Sequence, residues 1–175
     1  MSKTKELIFH RPNPRNYLPP AEMNGIERVS FTKLLGVWLQ DDMGTSKHVD
    51  YVTHICNQRL YLLNQIKKQG LPKAELLSVF EAIVLTRMLY ASPAWSGYAS
   101  ANNIESLQRV LIKAKRWRIV EKDYQLVDLF QDVTEHYLVR RRAANTVLIT
   151  YFRLSNITHT KCLSDRGVII LNFRC

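Results

Sequence analysis

Residues 49–72 read VDYVTHICNQRLYLLNQIKKQGLP, and their spacing decides the fold class. Val49, Val52, Ile55 with Cys56, Leu62 with Leu63, and Ile66 recur at three- and four-residue steps, the period of a helix with one face in a core. Thr45 or Ser46 offers a side-chain oxygen to cap the start. Gly70 ends the helix as a left-handed residue, with Lys67 and Lys68 in the last turn, where the carbonyl end favours cations. Pro72 then opens a second helix at a position where its missing N–H does no harm. Leu76, Leu77, Phe80, Ile83, Val84 and Met88 form its inner face until Ser92-Pro93 stops it. A two-residue joint makes the pair an antiparallel αα-hairpin.

Downstream, Asn102 or Asn103 caps a third helix carrying Ile104, Leu107, Leu111 and Ala114. Asp132-Val133-Thr134-Glu135 resembles a capping box and predicts a helix to about residue 153, with Tyr137, Ala144, Leu148, Tyr151 and Phe152 on its apolar stripe. A short β-like run, Val168 to Leu171, lies close to the end. Upstream, Lys3 to His10 suits a strand end. Arg11 to Pro20 holds four of the six prolines and reads as a loop, and Val29–Phe31 with Leu34–Leu39 reads as a hairpin or bent strand pair. The expected fold is mainly α, a small N-terminal hairpin followed by a helical bundle. Its segments are residues 1–45, 46–120 and 121–175.

The chain has 175 residues, 46% of them hydrophobic and 23% charged, values of a folded domain. Lys and Arg number 25 against 15 Asp and Glu, for a net charge of +10. Residues 61–120 hold nine basic and three acidic side chains, so most of the excess sits there and favours an anionic partner. No apolar run is long enough to cross a bilayer, no secretory signal is evident, and three irregularly spaced cysteines fit a reducing, intracellular compartment.

Catalytic signals are sparse. Asp41-Asp42, before Met43-Gly44, reads as a turn, because a metal-dependent polymerase needs a further carboxylate from another strand. His159-Thr160-Lys161-Cys162 is an incomplete zinc set. His54 and Cys56, two apart on a helix, face different ways, and Cys56 suits the core. No glycine-rich phosphate loop occurs. The basic surface says more. Lys67, Lys68 and Lys73 gather at the first helical corner, and Arg109, Lys113, Lys115 and Arg116 follow on the third helix, with Arg118 beyond. Trp117 within that cluster either stacks on a base or turns into the core beneath a solvated helix face. Arg140-Arg141-Arg142 is less persuasive, since three consecutive residues span most of a helix circumference and at least one must point away from any single ligand.

The order of short blocks resembles the reverse transcriptases of non-LTR (LINE-type) retrotransposons. Lys3-Thr4-Lys5-Glu6-Leu7-Ile8-Phe9 is similar to the stretch after that family's catalytic core, and Phe31-Thr32-Lys33-Leu34-Leu35-Gly36-Val37-Trp38-Leu39 to its next block. Gln40-Asp41-Asp42-Met43 with His48-Val49, then Arg59 to Leu63, Gly70-Leu71-Pro72, Leu89 to Trp95 and Leu107-Gln108-Arg109 follow in family order over residues 3–118. The resemblance implies the end of a palm and a thumb, with the metal-binding aspartates expected upstream of Lys3. It makes Leu35, Gly36 and Val37 primer-grip-like, and gives Lys3 a role at the leaving pyrophosphate that is empty without a nucleotide site. The implied partner is an RNA/DNA template–primer duplex, gripped through its phosphates by Lys33, Lys67, Lys68, Lys73, Arg109, Lys113, Lys115 and Arg116. The missing palm and fingers are a second implied partner. The chain alone is expected to be inactive and without a cofactor, Mg²⁺ belonging to the full-length enzyme. A basic helical nucleic-acid-binding module and a protein-interaction module are the alternatives.

Overall fold

The structure, a computed structural model, describes residues 4–10 and 18–152, with side chains as far as Arg140. Lys3, most of the proline loop, Arg141, Arg142, the His159–Cys162 set and the Val168–Leu171 run lie outside the described residues or side chains. So do the side chains of Ala144, Leu148, Tyr151 and Phe152. The fold is mainly α, with small N-terminal sheets followed by helices, and divides into two compact units, the first ending at His48 and the second beginning at Val49.

In the first unit β1 (Lys5–Glu6) pairs in parallel with β2 (Glu27–Arg28). Leu7 and Ile8 follow β1 and are buried, as the apolar run at that point requires. Glu6 is buried too, and Arg28 answers its charge: Nε donates to the Glu6 carboxylate at 2.8 Å. The other guanidinium nitrogens donate to the carbonyls of Pro20 and Ala21 at 2.9 and 3.1 Å. A buried carboxylate stripped of that partner would be strongly destabilising, so this pair ties the loop end to the strand.

β3 (Phe31–Leu34) and β4 (Val37–Gln40) form an antiparallel hairpin in which Leu34 opposes Val37 and Phe31 opposes Gln40. This corrects the expected strands at Val29–Phe31 and Leu34–Leu39, since the chain reverses at Leu35-Gly36. Leu35 has φ 45° and Gly36 φ 86°, the positive pair of a type I′ turn, whose twist matches that of the flanking strands. Glycine adopts that geometry freely, and the apolar Leu35 beside it disguised the turn as strand. Asp41-Asp42 forms the turn read from sequence: the Asp42 carboxylate accepts from the Gly44 amide at 2.7 Å.

In the second unit, α1 (Ser46–Lys68) presents Val52, Cys56, Leu60 and Leu63 to the core. Gly70, at φ 94°, closes it: its amide bonds to the Lys67 carbonyl at 3.1 Å, and that of Leu71 to Ile66 at 3.5 Å. This Schellman pattern satisfies carbonyls that the helix end would leave orphaned. The joint runs to four residues, and Pro72 is the capping residue of α2 (Lys73–Phe80), not its first helical one. A π-helical segment, Glu81–Leu85, continues α2 into α3 (Thr86–Leu89). Two of its carbonyls meet α1: Arg59 donates to Ile83, and the Cys56 thiol lies 3.9 Å from the Val84 oxygen. The later α1 residue meets the earlier π-segment residue, so the hairpin is antiparallel. Leu76, Phe80, Val84 and Met88 are buried along it.

That helix stops at Leu89, before the expected Ser92-Pro93. Ala91 turns left-handed at φ 52°, and Ser92-Pro93 instead begins α4 (Ser92–Trp95), where a proline in the first turn forfeits no hydrogen bond. A 3₁₀ turn, Ser96–Tyr98, leads to α5 (Ala101–Arg116). Its cap is Ser100, whose hydroxyl accepts from the Asn103 amide at 3.3 Å, so Asn102 and Asn103 lie inside the first turn. The last helix, α6 (Leu126–Phe152), begins six residues before Asp132. Its start is bracketed by the Gln108 side chain, which donates to Tyr124 O and accepts from Leu126 N, both at 2.9 Å. A capping group from another helix leaves no local signature, which is why the Asp132 box misled. Trp95 and Phe130 meet edge to face at 5.3 Å, and Leu107, Val110, Leu111, Ala114, Ile119 and Val120 complete the core.

Candidate nucleic-acid interface

The cations read from sequence fall into distinct environments. Lys73 pairs with Glu121 at 2.9 Å and Lys115 with Asp123 at 2.8 Å, both on the surface. The Glu121 carboxyl is held below its ordinary value by the hydrogen bond from Lys73 and by that lysine's charge. Lys67 donates to the Trp117 carbonyl at 2.5 Å, capping the C-terminal end of α5, where the helix dipole favours a cation. Lys68 is exposed. In the other unit, Lys33 is exposed on β3 and lies 5.9 Å from the Trp38 ring centre. Leu35 is 83% exposed at the hairpin tip beside Gly36, whereas Val37 is buried.

Arg109, Lys113 and Arg116 are brought together. With Thr53, Asn57, Ser106, Val110 and Ile112 they line an open cleft of about 460 Å³ between α1 and α5. Their spacing along α5, four residues and then three, keeps them on one stripe. None of the three has a carboxylate within salt-bridge distance among the described residues. Neutral groups position two of them: Lys113 Nζ donates to Asn57 Oδ1 at 3.0 Å, and Arg109 donates to Ser106 Oγ at 3.0 Å. Asn57 is itself fixed by donating to the Thr53 carbonyl at 3.0 Å. Trp117 is half-buried, and Lys113 stands 4.7 Å from its ring centre, an arrangement between the two sequence alternatives.

No family model, curated protein or solved structure matches this chain.

Reading the sequence for charge missed the polar wall of the cleft. Thr53 and Asn57 lie four apart on α1, and Ser106 lies three before Arg109 on α5, so both pairs carry helical spacing. Nothing local shows that the two stripes face one another. Cys56 is fully buried and His54 exposed, two residues apart on opposite sides of α1, as expected. Among the described residues no three His, Cys, Asp or Glu side chains converge as metal ligands, and no helix is long and apolar enough to cross a membrane.

Proposed function

We propose that this chain is part of an RNA-directed DNA polymerase of the non-LTR retrotransposon type. In this reading it supplies the end of the palm and the thumb, and holds a template–primer duplex without copying it. The observation that carries the reading is the convergence of Arg109, Lys113 and Arg116 on one open cleft, none of them within salt-bridge distance of a carboxylate among the described residues. Cations left unneutralised by the protein are free to displace the counterions of a phosphate backbone. The in-order sequence blocks and the tight Leu35-Gly36 turn add to it. No helix here carries a base-reading motif, so recognition rests on backbone and shape.

Titrating a labelled RNA/DNA duplex at several salt concentrations tests this reading. Affinity should fall steeply with salt and be indifferent to sequence, and Arg109→Glu with Lys113→Glu should weaken binding by about tenfold or more at low salt. Primer extension on an RNA template with Mg²⁺ should yield no product. Absence of binding at low salt, or robust nucleotide incorporation, would overturn the proposal.

A further inference from the structure

The guanidinium of Arg87, on α3, finds no hydrogen-bond acceptor among the described residues. Its carbon lies 5.2 Å from the Tyr51 ring centre and 5.8 Å from that of Tyr90. Nε is shut off from water and unbonded, while the two Nη nitrogens stay open to solvent. A shielded donor without an acceptor costs stability, and an arriving anion offsets that cost. The aromatic rings fix the group by cation–π attraction, and its open edge is the fork that matches two oxygens of an oxyanion. Arg59 of α1 supplies a second cation nearby. It donates to the Ile83 carbonyl, one helical turn before Arg87, and the charges of both arginines reach the buried Cys56 thiol. Neither arginine has a carboxylate within salt-bridge distance among the described residues. Two neighbouring guanidinium groups favour a dianion over a singly charged carboxylate. This place is separate from the α1–α5 cleft, because Tyr51 lies two residues from Thr53 and so faces the other side of α1.

We infer that Arg87 and Arg59 form a binding site for a terminal phosphate, the dianion of inorganic phosphate or of a phosphomonoester. Arg87 takes two of its oxygens through the Nη edge, Tyr51 and Tyr90 hold that guanidinium in place, and Arg59 adds the second charge. The site does not depend on the nucleic-acid reading of the cleft.

Titrating the full chain with inorganic phosphate at about pH 8, where the group is a dianion, tests it at constant ionic strength. The ¹H–¹⁵N signal of Arg87 Nε, assigned by its loss in Arg87→Lys, should shift saturably. Acetate and dimethyl phosphate, each with one charge, should leave it in place. By calorimetry, phosphate affinity should drop about tenfold or more in Arg87→Gln and in Arg87→Lys, since lysine keeps the charge without the fork. Backbone amide spectra verify that both variants are folded. Methyl phosphate separates the two sources: a matching shift identifies a phosphomonoester, and a shift with inorganic phosphate alone identifies the free ion. Arg109→Glu with Lys113→Glu should preserve the shift, because the cleft is elsewhere. No saturable shift, an equal shift with acetate, unchanged affinity in both Arg87 variants, or loss of the shift in the cleft variant overturns the site. If duplex binding fails while the phosphate shift persists, the reading of the cleft falls and this site stands.

Discussion

Burial raises the Cys56 thiol from its ordinary 9.0 to about 11, despite the opposing charges of Arg59 and Arg87. Tyr124 rises from 10.0 to about 12, first through burial and then because its hydroxyl donates to the Glu81 carboxylate at 2.9 Å. In both cases the folded protein retains a proton that the unfolded chain releases earlier. Their contribution is therefore complete below about pH 9 and is lost as pH rises through 11 and 12. Urea unfolding between pH 7 and alkaline conditions should show this decline. Tyr124→Phe should cost about 1 kcal/mol at neutral pH through the lost hydrogen bond and make the decline above pH 10 shallower. The core position of Cys56 was legible from helical spacing alone. The Tyr124 partner was not, because Glu81 is 43 residues away and only packing brings them together.

Among the elements, the ends proved harder to read than the interiors. Gly70 was recognisable because glycine is the usual left-handed closer. The end of α5 repeats the same bonding, with Arg118 at φ 53° in the glycine position: its amide reaches Lys115 O at 2.8 Å and that of Ile119 reaches Ala114 O at 3.0 Å. No residue type announced it. Lys67, from α1, completes that end at the Trp117 carbonyl. The start of α6 likewise depends on Gln108 of α5. Gln108→Ala should therefore destabilise the protein by about 1–2 kcal/mol, since it removes both hydrogen bonds at once. Hydrogen exchange should localise the loss to the amides at the start of α6, with those of α1 keeping their protection. Uniform acceleration across all helices would show that Gln108 acts on the whole core rather than on that helix start.

At the scale of the molecule, the two units differ in what holds them. The first has strands of two and four residues paired two at a time, and such ribbons are marginal without further packing. The second buries Phe80, Trp95, Leu107 and Leu126 among helices up to 27 residues long. Native-state hydrogen exchange should show fast-exchanging amides in β1–β4 and slow ones in α1 and α5, over the same range of denaturant. Equal protection in both would contradict this. The mainly helical character follows from periodicity within residues 49–88, because a helix face repeats in the order of the chain, and the αα-hairpin from the short Gly70–Pro72 joint between the two helices. The division of the basic residues does not. Lys73 and Lys115 find carboxylates, Lys67 a helix end, and Arg109, Lys113 and Arg116 an open cleft opposite Thr53 and Asn57. Net charge counts all of them alike. Tertiary packing decides which cations meet a carboxylate or a helix end and which line the open cleft, where Lys113 of α5 reaches Asn57 of α1, 56 residues away in sequence.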